Sequence, residues 1–166
     1  MFLASLFATF LMPPPKPIET PTAHYYQPNN AKSKPVSMNA DICIYGGTAS
    51  GVIAAVQARR LGRTVILINP SRHLGGMTSG GLSYTDFGNQ KAIGGMAREF
   101  YQRLGKHYGV VEELKFEPHV AEKTLGDMAR EAGVLIYGNQ FLASITKANK
   151  RITSLSTEDG LTVTAR

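Results

Sequence analysis

The stretch IYGGTASG, residues 44–51, decides how this chain folds. Upstream, Asp41 to Tyr45 is short and apolar with isoleucines at alternate positions, and it reads as a buried strand. Downstream, Gly51 to Leu61 carries Val52, Ala54, Ala55, Val56 and Ala58. These are spaced apolar residues among good helix formers, the pattern of a helix with one packed face. Gly62 stands where a helix commonly stops. Thr64 to Ile68 is a second apolar, β-rich run.

Strand, glycine turn, helix and strand in so short a span make the first half of a dinucleotide-binding unit. Each turn residue then has a physical role. Gly46 allows the tight turn, and Gly51 lets the helix lie close to the sheet. The backbone N–H groups of residues 47–51 face an anion at the helix N-terminus, where the dipole also favours negative charge. Thr48 occupies a position where glycine is usual, and its hydroxyl is a further donor to phosphate. An acid that accepts from ribose hydroxyls is expected about 20 residues beyond the turn. Asn69 stands there, with a side-chain oxygen but no charge. Loss of that anion, with Arg72 nearby, keeps NADP open as a ligand. A glycine turn that binds nothing is the other alternative.

Beyond the second strand comes PSRHLGGMTSGGL, residues 70–82. A nicotinamide-binding unit would enter a helix soon after this strand. Here the paired glycines Gly75-Gly76 and Gly80-Gly81 let main chain come close to an extended ligand, among N–H and hydroxyl donors. With its GGTASG turn and HLGGM loop, the segment from Asp41 to Asp86 resembles the FAD-dependent oxidoreductases of the glutathione-reductase-like superfamily. The stretch from Phe116 onward continues the resemblance, which covers about residues 40–166. It implies an α/β, Rossmann-like FAD-binding domain in which the first turn, Gly46, Gly47, Thr48, Ala49, Ser50 and Gly51, holds the FAD pyrophosphate. It places Asn69, where the family usually has glutamate, at the adenosine ribose. His73, Leu74, Gly75, Gly76 and Met77 pass the ribityl and flavin region, and Leu142 lies near the adenine. The implied chemistry is hydride transfer from a small-molecule substrate to FAD.

The remaining pattern fits this frame. Gly94 to His107 has Met96, Phe100, Tyr101 and Leu104 at helical spacing, a core-facing stripe. Pro118 to Ala132 reads as another helix, with the proline at its start and Val120, Leu125 and Met128 inward. Val134 to Tyr137 is a third strand, parallel to the first two. Phe141 to Lys147, Arg151 to Thr157 and Leu161 to Ala165 alternate between turn residues as a three-stranded antiparallel meander. Tyr84, Thr85 and Asp86 follow the glycine loop, either as a capped turn or close to the flavin. Nothing identifies a catalytic acid or base.

Composition bounds the rest. Apolar residues at 43% and charged residues at 18% describe a globular chain. The net charge of +6 is scattered, which argues against nucleic acid. The single cysteine, Cys43, excludes an intrachain disulfide framework and a multi-cysteine metal site, and its isoleucine neighbours mark it as a small hydrophobe. The apolar run Phe2 to Met12 is too short to span a bilayer, which takes about 20 residues. It is either a weak export signal, with Pro21-Thr22-Ala23 as its cleavage site, or no signal at all, so cytoplasm and export both stay open. Residues 1–39 are expected to be leader and linker, and 40–166 a partial FAD-binding domain, incomplete at its C-terminal end relative to the resembled family. The rival readings are an NAD(P)-dependent dehydrogenase and a non-catalytic remnant without cofactor. Substrate, electron acceptor and oligomeric state are not encoded legibly.

Overall fold

The computed structural model describes residues 34–86 and 88–166. The apolar run Phe2–Met12 and the proline-rich residues 13–33 lie outside the described residues. Order begins earlier than composition implies, because Val36–Ala40 forms a strand, β1. Its register explains why a linker-like segment is ordered. β1 pairs in parallel with Leu161–Ala165, β7, along its whole length, from Val36 opposite Leu161 to Ala40 opposite Ala165. Met38 and Ala40 turn toward the core while Ser37 and Asn39 face out; Val36, on the core-side face, is exposed at the strand's start. That alternation is the period-2 signature of a half-buried strand.

Ile42–Tyr45, β2, leads through the glycine turn into helix α1, Ala49–Arg60, and then Val65–Ile68, β3. Helices α2, Gly95–Tyr108, and α3, Pro118–Glu131, precede Leu135–Tyr137, β4. The three short strands pair in parallel in the order β2-β3-β4. Leu142–Ala148, β5, and Arg151–Thr157, β6, complete an antiparallel meander with β7, and β1 lies on its outer edge.

β3 decides how these layers stack. All four of its residues are buried, and they alternate between two cores. Val65 and Leu67 pack against α1, α2 and α3, meeting Val52, Val56, Leu104, Leu125 and Met128. Ile66 and Ile68 face the meander, with Leu155, Leu161 and Val163. The result is helices, parallel sheet and antiparallel sheet in three layers. Side chains of this size stabilise by about 1.5–3 kcal/mol each when fully buried.

β2 is less buried than its isoleucines suggest. Ile42 and Tyr45 are exposed, and Ile44 and Cys43 are half-buried. Among the described residues β2 pairs only with β3, so its other edge is open. Cys43 does sit as a hydrophobe, in the core facing the meander, and burial pushes its thiol pKa up. Asp41 ties the starts of β2 and β3 together. Its carboxylate accepts from the Thr64 amide at 2.9 Å and hydroxyl at 2.8 Å. Those bonds hold its pKa below the usual carboxylate range.

Candidate functional site

The glycine turn lies where sequence places it, at the C-terminal edge of β2 and the N-terminus of α1. Gly46 has φ +114°, a conformation that favours glycine. Gly51 is required by proximity, since a Cβ there would run into the Gly46 carbonyl oxygen. Thr48 takes a role that its spacing alone does not reveal. It is the N-cap of α1, and its hydroxyl oxygen accepts from the Gly51 amide at 3.2 Å. The Ser50 hydroxyl lies 3.0 Å from the same oxygen. Threonine is a good N-cap, so its presence strengthens the helix start.

The expected fan of five amides is partly engaged inside the protein. Gly47 N–H donates to Asn69 Oδ1 at 2.9 Å, Ala49 N–H to the Gly75 carbonyl at 3.3 Å, and Gly51 N–H to Thr48. Thr48 and Ser50 keep amides without an internal acceptor among the described residues. These two flank the first turn of α1, where the helix dipole favours an anion.

Asn69 lines the crevice at the end of β3, with its side chain also engaged inside the protein. It is 5% exposed and its side chain is bound to main chain. Besides accepting from Gly47, it donates from Nδ2 to the Ser71 carbonyl at 2.7 Å and the His73 carbonyl at 2.8 Å. Both amide protons are thereby used. The side chain staples the phosphate turn to the second loop, a task that an acid with no N–H cannot perform.

The second loop is joined to the first through Gly75. Its N–H donates to the Gly47 carbonyl at 2.7 Å, and its carbonyl accepts from Ala49. Gly75 has φ +107°, and a Cβ there would also collide with Ser79. The Ser79 hydroxyl donates back to the Leu74 carbonyl, closing the loop on itself. Leu74 packs on the helical core, whereas Met77 is 79% exposed.

Between these loops lies a crevice of about 610 Å³, bounded by the phosphate turn, the end of β3, the glycine loop and the first turns of α3. Its size is within the ordinary range for small-molecule sites, about 300–1,000 Å³. Gly46, Gly47, Thr48, Asn69, His73 and Gly76 line it among the expected residues. Ala49, Ser50, Gly51, Leu74, Gly75 and Met77 are neighbours that shape it. Leu142 lies apart from this lining; its amide donates to the Tyr45 hydroxyl at 3.0 Å. Tyr84 and Thr85 also stand outside. Thr85 N–H donates to the Leu114 carbonyl at 3.0 Å, and its hydroxyl lies 3.1 Å from that of Tyr101.

Sequence reasoning missed Glu122, on the second turn of α3. Its Oε1 accepts from the Leu74 amide at 3.1 Å, and both its oxygens lie 3.0 Å from His73 Nδ1. Arg72 Nε donates to His73 Nε2 at 3.1 Å, so the imidazole proton sits on Nδ1, toward Glu122. No local pattern in the sequence marks this glutamate, because its partners lie 48 and 49 residues away.

The match of this chain to the family model of FAD dependent oxidoreductases covers residues 41–166, and the chain belongs to that family. The cofactor is FAD, and the residues present fit it. A side chain at Gly47 would meet Asn69 and Leu74 at 2.7–2.8 Å, so glycine lets the two loops pack together, and the amides of Thr48 and Ser50 are left for a phosphate. No match exists among curated proteins. Solved structures share the fold, and three of them serve as examples. The L-amino acid deaminase from Proteus vulgaris has TM-score 0.57 at 14% identity, over 81% of this chain and 47% of its own. The 3-ketosteroid-delta4-(5alpha)-dehydrogenase from Rhodococcus jostii RHA1 has TM-score 0.51 at 15% identity, over 83% and 46%. The bacillithiol disulfide reductase from Staphylococcus aureus has TM-score 0.52 at 16% identity, over 76% and 36%. This chain thus spans less than half the length of each. Among the described residues no helix is long and apolar enough to cross a membrane.

Proposed function

We propose that this chain is the FAD-binding portion of a flavin-dependent oxidoreductase of the glutathione-reductase-like superfamily, acting on a small-molecule substrate. The observation that carries the reading is the crevice itself. Two glycine-rich loops, bonded to each other through Gly47 and Gly75, open onto the N-terminus of a helix of twelve residues. When bound, FAD supplies hydride acceptance; the protein supplies binding, orientation and electrostatics.

The amides of Thr48 and Ser50 hold the pyrophosphate, with the α1 dipole behind them. Gly75 and Gly76 leave room for the ribityl chain, flanked by His73 and Leu74 on one side and Met77 on the other. Leu142 would lie toward the adenine, in a segment joined to the end of β3 by the Gln140 N–H, which donates to the Asn69 carbonyl at 3.0 Å. Asn69 organises this region from below.

The rival dehydrogenase reading drew on Asn69 with Arg72. Arg72 does not line the crevice, and its Nε is directed to His73. That reading therefore draws no support from the lining of the crevice. The purified full-length protein, freed of cofactor and incubated with FAD, is expected to emerge from gel filtration with stoichiometric flavin absorbance. Its melting point should rise as FAD increases, about 2.7 kcal/mol of added stability at one hundred times Kd. A colourless protein whose melting point ignores FAD would overturn the proposal, and a response to NADPH alone would favour the rival.

A further inference from the structure

We infer that Glu122 is a positioning residue for the second glycine loop. It works through the imidazole of His73, which Arg72 holds in the Nδ1–H tautomer. Together they fix the His73–Leu74 segment against α3 and so set how fast FAD leaves. The inference rests on the FAD reading above and gives Glu122 no contact with the cofactor.

The first observation is what joins the loop to its neighbours. On the side of the phosphate turn, Gly75 exchanges backbone hydrogen bonds with Gly47 and Ala49, and the His73 carbonyl accepts from Asn69. On the side of α3 the attachment is sparser. Leu74 packs in the helical core, and Leu125 lies against Gly75. Among the described residues, every hydrogen bond between residues 70–82 and α3 ends on Glu122. It receives the Leu74 amide at 3.1 Å and His73 Nδ1 at 3.0 Å to each oxygen. The crevice runs between these same walls, with His73 and Gly76 on the loop side and Pro118, His119 and Glu122 on the side of α3. One carboxylate therefore ties the two walls together.

The second observation is the direction of the bonds. Arg72 Nε–H donates to His73 Nε2 at 3.1 Å, which leaves the ring proton on Nδ1, toward Glu122. In such an imidazole one nitrogen donates and the other accepts, so engaging one fixes the other. Arginine cannot accept, and a carboxylate without a proton cannot donate. The relay Arg72–His73–Glu122 consequently has a single polarity, and reversing either end leaves two donors face to face.

The third observation is exposure. The His73 side chain is 60% accessible and that of Glu122 32%, so their contact alone is a weak attachment. The Leu74 amide is half-buried and needs an acceptor, and its bond to a carboxylate is charge-assisted. The imidazole decides which way that carboxylate is turned. The two contacts act as one tie, and the tautomer is what keeps them together.

The test measures FAD release from the loaded full-length protein after dilution, followed by flavin fluorescence. Glu122→Gln keeps the shape and an acceptor for Leu74 but sets an NH2 group against His73 Nδ1–H. It should release FAD about tenfold faster, the loss of one charge-assisted hydrogen bond. With Arg72→Ala as the background, nothing holds Nε2 as an acceptor. The ring proton can move there, and Nδ1 then accepts from the new amide. Glu122→Gln added to Arg72→Ala should therefore change release by less than about threefold, because the two sites are coupled. Imidazole nitrogen chemical shifts give a second readout: the Nδ1–H tautomer in the unmodified protein and the Nε2–H tautomer in the double variant. The same penalty for Glu122→Gln in both backgrounds would overturn the inference. So would release from Glu122→Gln at the unmodified rate, or an Nε2–H tautomer in the unmodified protein. If Glu122→Gln does not fold, the tautomer of the unmodified protein decides alone. If the unmodified protein never holds FAD, the broader reading fails instead, and the tautomer in the unloaded protein still judges the relay.

Discussion

Single atoms at the glycine turn decide whether this site exists. Gly51 packs against the Gly46 carbonyl with no room for one more carbon. Gly51→Ala is therefore expected to open the turn and abolish FAD retention. It should destabilise by about 1–3 kcal/mol, read from denaturant midpoints, because overpacking displaces backbone. Asn69 yields a less intuitive prediction. From sequence alone, Asn69→Asp restores the family's acidic character and should improve ribose binding. In the structure it removes two N–H donors and sets a carboxylate against the Ser71 and His73 carbonyls. The variant should lose about 1–3 kcal/mol at neutral pH, the cost of unsatisfied buried groups. Repulsion and burial raise the folded-state pKa of the new acid above its unfolded value, so this loss should shrink as pH falls, when the acid regains a proton to donate. A neutral-pH melting point equal to that of the parent would refute the stapling role.

Secondary-structure elements are joined at the surface by an ionic network whose centre is Glu99 of α2. Arg60 of α1 and Arg103 of α2 both contact it, at 2.7 and 3.0 Å, and Arg103 continues to Glu131 of α3 at 2.7 Å. The Arg60 hydrogen bonds, followed by those of Arg103, hold the Glu99 pKa down at about 2. A depressed carboxylate stabilises the fold above its unfolded pKa and loses that contribution as pH falls through the folded one. Glu99→Gln is thus expected to cost about 1 kcal/mol or less at pH 7, given the solvent exposure of the pair. The difference should fade between the ordinary glutamate pKa and about pH 2, and molar salt should shrink it. Urea titrations of both proteins across that range provide the check.

At this same scale the sequence was most legible. The apolar periods of α2 and α3, the meander with its turns and the parallel β4 could all be read from local pattern. What escaped were features whose cause is distant in the chain. β1 looks like linker because its neighbours are proline and asparagine, and only the facing β7 makes Met38 and Ala40 core residues. Ile42 and Tyr45 spell a buried strand, yet their exposure is set by an open sheet edge. The turn glycines were evident from spacing, whereas the N-cap use of Thr48, the stapling by Asn69 and the arrival of Glu122 depend on which atoms tertiary folding brings together.

Taken as a whole, the molecule is three layers in which β3 is the shared member, and its Leu67 is completely buried against the helices. The outermost strand of the meander side is β1, and it shields Leu161 and Val163. A chain trimmed to begin at Asp41 should therefore keep its helical core but expose β7. Hydrogen exchange is the appropriate measurement, with protection expected to fall across residues 151–165 and to persist in α1 and α3. Equal protection in β7 with and without residues 36–40 would show that the pairing contributes nothing.

The partnership of β1 with β7 also bears on synthesis. During translation β1 leaves the ribosome before any other described strand, and its mate is the last to appear. Until then a polypeptide nearly the length of the domain must carry a solitary strand with unsatisfied amides, so docking of the two ends is a late, slow step. The nascent protein is most vulnerable to proteases and mispairing in that interval, and a chaperone that covers residues 36–40 would act at the point of greatest need.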